Sequence, residues 1–322
     1  MFMIPRFINY CISLNHNLPS GEHVPNNLQK YFMKPYSFIK NWRSLPSYEL
    51  GSYILLFMSI PMLAYGIQPY NFKILRLVLF TVITLYAGFF SALIWNDITD
   101  RDIDNISHPN RPIPSGRISS KGFFIIALCF SMITFIFSAI LGFFCFFIVI
   151  IAAFFVAIHN KYLKRIIKFP AYSEIVSPIQ WLIAPIFGFF VIWTHLYNPN
   201  NINISFPILG FISLSVNGLI NLLLLLFFTY FSISAHDLPD GIHDSSGDKK
   251  YGVKTYATCL GEQKAASISL LWFILSGIFM VLLYFNSILS IFFLGTFLIN
   301  WIIILYYSYS FLNLPTPEMR QL

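Results

Sequence analysis

Repeated apolar runs of about 20 residues are the feature that most limits what this chain can become. At 1.5 Å per residue, such a run crosses the roughly 30 Å hydrocarbon core of a bilayer as a helix. The runs fall near residues 47–67, 74–95, 121–141, 143–160, 172–194, 207–236, 265–285 and 287–309. The stretch from Phe123 to Ile158 is too long for one crossing and divides at Gly142, and the last long run divides at Asn286-Ser287. Because the runs are continuous and do not alternate, an outer-membrane barrel is excluded. Only 10% of the residues are charged, against 57% hydrophobic, so there is too little polar surface to clothe a soluble core of this size. The expected fold class is an all-α polytopic membrane protein, a bundle of about eight transmembrane helices. A polar arm (1–45) precedes the membrane unit (46–310), and a short tail (311–322) follows it.

Charge placement tests the count. The net charge is +7, but the basic residues sit in short loops between spans, which speaks for membrane orientation and against nucleic acid as a partner. With eight spans, eighteen of the twenty Lys and Arg residues fall on one side, and only Lys73 and Arg76 on the other. The positive-inside rule then places both termini and the long loops on the cytoplasmic face of the cell (inner) membrane. The N-terminal stretch lacks the order of charged, apolar and cleavage regions that marks a signal peptide. Cys11, Cys129, Cys145 and Cys259 show no paired spacing, so neither a disulfide framework nor a zinc site is expected.

Every aspartate lies in one of two clusters: Asp97, Asp100, Asp102 and Asp104, and then Asp237, Asp240, Asp244 and Asp248. Both clusters sit at the cytoplasmic ends of spans, the second and the sixth. If the second helix continues past Trp95, Asn96, Asp100 and Asp104 recur every four residues on one face, with Asp97 beside them and Asp102 pointing away. Asp240, Asp244 and Asp248 repeat the same step. There Ser245, Ser246 and Gly247 are poor helix formers, and Pro239 can open a new short helix. Stacked carboxylates repel unless a cation lies between them, and an all-oxygen set suits Mg²⁺. With Arg111, Lys164, Arg165 and Lys254 near, the arrangement reads as a cradle for the diphosphate of an isoprenoid whose tail lies among the apolar helices.

At these residues the chain resembles the UbiA superfamily of intramembrane prenyltransferases. "NDITDRDID" followed by "NRPIPSGRIS" is similar to the family's first aspartate motif and basic loop. "NKYLKR" is similar to its second basic loop, and "DLPDGIHDSSGDKKYGVKTYATCLG" to its second aspartate motif. The resemblance spans roughly residues 40–310. It implies a bundle, usually of nine helices, around a central cavity, with Mg²⁺ bridging the aspartates and a prenyl diphosphate. Carried over, Asp100, Asp104, Asp244 and Asp248 are the catalytic candidates. Asn96, Asp97, Asp100, Asp104, Asp240, Asp244 and Asp248 are the metal ligands, and Arg111, Lys164, Arg165 and Lys254 bind the diphosphate. His159 departs from a usual tyrosine, and "IIKFPAYSEIVSP" lacks the family's asparagine pattern on the acceptor side.

The implied reaction ionises a polyprenyl diphosphate, stabilises the departing diphosphate, and lets a hydrophobic or aromatic acceptor or a membrane lipid capture the allylic cation in a dry, ring-lined cavity. The acceptor classes left open are a quinone precursor, a tetrapyrrole and a glycerol-phosphate lipid. A terpene cyclase with no external acceptor is the alternative. A cation transporter is disfavoured because its acids belong near mid-membrane. His236 and His243 read as ligands or, in preference, as caps or solvent contacts, and His159 as an acceptor-site base or, in preference, a membrane-interface residue. Glu174 is expected either to activate an acceptor or to pair with a nearby lysine.

Overall fold

A computed structural model describes residues 47–66, 72–107, 109–163, 166–167, 169–314 and Met319. The arm 1–45, the phosphate-binding candidates Lys164 and Arg165, and most of the tail lie outside the described residues. The spans form α1 (Ser47–Tyr65), α2 (Phe72–Thr99), α4 (Ser120–Ile140), α5 (Phe143–Ile158), α6 (Tyr172–Trp181) with α7 (Ile183–His195), α8 (Val216–His243), α11 (Glu262–Asn286) and α12 (Ile291–Leu312). Seven of these crossings are long and apolar enough to span a bilayer, and α1 adds a shorter apolar helix over Leu50–Tyr65. Short helices α3 (Arg101–Ser107), α9 (Ser245–Tyr251) and α10 (Tyr256–Leu260) cap one end.

Local chemistry explains the breaks. Gly142, at φ 107°, separates α4 from α5 in a conformation that a side chain would resist. Ser290 caps α12 by accepting the backbone N–H of Phe293. The fifth crossing, expected as one helix, is interrupted at Leu182. Pro185 has no N–H to give the Trp181 carbonyl, so the chain reseats there and restarts as α7.

Two expectations change. Residues 207–214 do not open the sixth span. Ile202–Phe206 (β1) and Gly210–Leu214 (β2) pair as an antiparallel hairpin, with Asn203 opposite Ser213 and Ile204 opposite Ile212. Isoleucine and phenylalanine alternating with small polar residues suit a pleated ribbon, Pro207 enters the turn, and the helix waits for the Ser215 cap. At the other end, α8 runs straight through Pro239 to His243, so no new helix starts at the proline. The carbonyl that Pro239 cannot serve, Ala235 O, accepts the Ser269 hydroxyl of α11 at 2.7 Å, which lets the helix continue.

The bundle is built on two long pairs, α2 with α4 and α8 with α11, joined by α1 and α7. Apolar packing fills the middle around Phe57, Leu77, Phe187, Phe189 and Leu283, all nearly inaccessible. Lys73, one of the two basic residues on the sparse side, donates to the His195 carbonyl at the end of α7. The lipid-side faces of α4, α5 and α12 carry exposed Ile125, Phe154 and Phe292. The aspartate segments leave the ends of α2 and α8, one from each pair, and their cap helices α3 and α9 touch.

Candidate active site

The first aspartate segment keeps its helical step through a bend. Helix α2 ends at Thr99 and α3 begins at Arg101, yet Asp100 N–H still donates to Asn96 O and Asp104 N–H to Asp100 O, both at 2.9 Å. One face therefore holds Asp97, Asp100 and Asp104, exposed by only 2%, 5% and 3%, while Asn96 beside them is half-buried. Asp102 points to solvent and meets Arg101 at 3.3 Å, as the spacing requires.

Three carboxylates packed this way need a counter-charge. Arg111, from the loop after α3, places Nη1 2.6 Å from Asp104 Oδ1 and 3.8 Å from Asp97 Oδ1. The Oδ2 atom of Asp104 is buried and has no hydrogen-bond partner among the described residues. Burial pushes the Asp104 carboxyl above the usual carboxylate range. The Arg111 hydrogen bond and charge pull it back without cancelling that effect, and the charges of Asp100 and Asp97 push it further up.

The second segment also keeps its step: Asp244 N–H donates to Asp240 O and Asp248 N–H to Asp244 O, each at 2.9 Å. Helix α9 restarts immediately after Asp244, and Asp248 O accepts the Val253 N–H that closes its end. Asp244 and Asp248 are half-buried and Asp240 is exposed. Asp237, one turn back, meets His236 at 3.4 Å and Ser177 of α6 at 3.5 Å. Lys254 stands exposed in the loop between α9 and α10. Contact between α3 and α9 puts both segments at one end of the bundle.

Among the described residues, no three His, Cys, Asp or Glu side chains converge as a ready-made metal group. Mg²⁺ takes one or two carboxylates and completes its octahedron with waters and substrate phosphate oxygens. An oxygen-only set with the open Oδ2 of Asp104 in its midst fits such an ion.

Deeper in the bundle, a cavity of about 90 Å³ lies between α1, α6, α7, α8, α11 and α12, with Tyr53, Trp181, Phe228 and Trp301 in its wall and Ser232 toward the aspartate end. His159, at the end of the α5 crossing, is enclosed by protein. It is 3% exposed in a π-helical turn, stacked on Phe155, with Nδ1 3.4 Å from the Tyr172 hydroxyl. Glu174 is likewise buried and accepts the backbone N–H of Tyr256. No local signal reveals either, because the covering residues come from distant segments.

The pattern described as the UbiA prenyltransferase family matches residues 55–321. The digeranylgeranylglyceryl phosphate synthase of Methanosphaera stadtmanae is 28% identical over 260 residues, covering 80% of this chain and 83% of that protein. The synthase of the same name from Sulfurisphaera tokodaii is 26% identical over 245 residues, or 76% and 75% of the two chains. Among solved structures, a UbiA homologue from Aeropyrum pernix K1 superposes with a TM-score of 0.62 at 16% identity, covering 84% of this chain and 94% of that one. A homologue from Archaeoglobus fulgidus, bound to DMAPP and Mg²⁺, gives 0.52 at 14% identity, covering 84% and 92%.

Proposed function

The chain belongs to the UbiA prenyltransferase family, and on that premise we propose that it is a Mg²⁺-dependent enzyme that moves a prenyl group from a polyprenyl diphosphate to a glycerol-phosphate lipid. It is a multi-pass integral membrane protein; the proposal adds that residues 46–310 form the catalytic unit, with the site and both termini on the cytoplasmic face. The observation that carries the reading is the meeting of α3 and α9, which brings two oxygen-rich segments to one end of the bundle. The acceptor class is supported by relatives named for a glyceryl phosphate product, which replaces the wider choice that included quinone and tetrapyrrole acceptors.

In this mechanism Asp100 and Asp104, with Asn96 and Asp97 beside them, form one prong, and Asp244 and Asp248 the other, with Asp240 at its rim. These residues would hold Mg²⁺, which would supply positive charge to the diphosphate oxygens. Arg111 holds the buried carboxylates in place, and its charge would also attract the diphosphate. Lys254 adds positive charge at that end, the role the sequence also assigns to Lys164 and Arg165, which lie outside the described residues. The electron pair of the allylic C–O bond leaves with the diphosphate, and a lipid hydroxyl oxygen forms the new bond to the allylic carbon as its proton is lost. The apolar wall keeps water from competing for the cation.

The test is an acceptor panel with purified protein, Mg²⁺ and geranylgeranyl diphosphate. A prenyl-glycerol phosphate should be consumed mole for mole with diphosphate released, and omission of any acceptor should give no product. Cyclised hydrocarbon formed without acceptor, or prenylation confined to an aromatic acid, would overturn the assignment.

A further inference from the structure

Glu174 belongs to neither aspartate segment and has no part in the chemistry above. It is the third residue of α6 and only 5% exposed. Its Oε2 accepts the N–H of Tyr256, the first residue of α10. Its Oε1 has no hydrogen-bond partner among the described residues, and it occupies the place where a Cβ on residue 241 would stand. Residue 241 is glycine, in the last turn of α8 between Asp240 and Asp244. One buried carboxylate therefore touches α6, the helix end that carries the second segment, and the helix that follows that segment. The charges of Asp237 and Asp248 also reach it. Burying a polar side chain here is costly, so its place asks for a reason beyond apolar packing.

From this contact we propose that Glu174 is a positioning residue. It pins the last turn of α8 and the start of α10 to α6, and so fixes where Asp244 and Asp248 stand relative to the first segment. The need is local: α8 has already lost a backbone hydrogen bond at Pro239, and the seven-residue α9 is too short to hold its own direction. Glu174 touches no reacting atom and acts through the second segment. The proposal rests on the diphosphate-cradle reading of the site.

Four full-length variants in detergent test it: Glu174→Ala, Glu174→Gln, Gly241→Ala, and Glu174→Ala with Gly241→Ala. The readouts are the Mg²⁺ concentration giving half-maximal diphosphate release per folded protein, and hydrogen exchange of the segment containing Tyr256. Glu174→Ala should need about tenfold more Mg²⁺ or beyond, the usual effect of removing a support behind metal ligands. Glu174→Gln should stay near wild type, since its amide oxygen still accepts the Tyr256 N–H. Gly241→Ala should reproduce the Glu174→Ala defect, although alanine is the better helix former. The pair should be no worse than Glu174→Ala alone, because both changes remove one contact. If Glu174→Ala is not recovered folded, Gly241→Ala against Glu174→Gln carries the same comparison. An unchanged Mg²⁺ requirement, failure of glutamine to rescue, or additive defects would overturn the proposal. If wild type itself releases no diphosphate with Mg²⁺, the functional reading fails. Tyr256 exchange then decides the pin alone: it should be faster in Glu174→Ala, and unchanged exchange refutes it.

Discussion

Replacing Arg111 with glutamine removes a cation that lies within 4 Å of both Asp104 and Asp97. At an effective dielectric of 20, charges at the observed 2.6 and 3.8 Å attract by about 6 and 4 kcal/mol. The lost hydration of the ions offsets most of this. Breaking a buried pair by deleting one partner costs about 3–5 kcal/mol. Arg111 keeps 23% of its side chain exposed, which puts the expected loss near the lower end, about 3 kcal/mol. Reversible SDS unfolding of the purified protein at pH 7.5 measures it. The loss should shrink on acidification. Burial already raises the Asp104 carboxyl above its unfolded value, and without Arg111 it rises further. A raised carboxyl penalises the fold only where it must ionise, above the unfolded value of 3.8, and the penalty is complete above the folded one. Adding Asp104→Asn to Arg111→Gln should recover most of the stability, because the uncompensated charge is gone, while diphosphate release stays impaired. An unchanged midpoint for Arg111→Gln, or a double variant less stable than the single, would refute this account of the cluster.

Ser269→Ala should cost about 1 kcal/mol by leaving the Ala235 carbonyl unserved. The cost should largely vanish in a Pro239→Ala background that restores the helical N–H, with unfolding midpoints as the check. Trp301→Ala removes a ring that lies against Gly277 and lines the cavity. It should destabilise the protein by about 3 kcal/mol and extend the prenyl chain lengths turned over, read by product chromatography across a substrate series.

The crossings were legible because lipid demands continuous apolar helices, a requirement that leaves its mark residue by residue. The acid faces were legible for a similar reason: a four-residue step survives the bend at Asp100 and the restart after Asp244. What escaped depends on partners distant in sequence. Hydropathy alone cannot tell an apolar hairpin from an apolar helix, and only the pairing of Gly210–Leu214 with Ile202–Phe206 separates residues 207–214 from the sixth span. Pro239 looked like a helix start because the hydroxyl that rescues Ala235 O comes from Ser269 on another helix. Glu174 looked interfacial because its cover, Gly241 and Tyr256, lies more than sixty residues along the chain.

The central claim is that both aspartate segments grip one diphosphate through magnesium. Calorimetric titration of a prenyl thiodiphosphate into wild type, Asp100→Asn and Asp244→Asn, with Mg²⁺ and with EDTA, tests it most directly. The account predicts binding by wild type only when Mg²⁺ is present, and a loss of at least tenfold in each variant, as expected when a charged ligand to a shared ion is removed. Metal-independent binding, or full affinity after neutralising either segment, would contradict it.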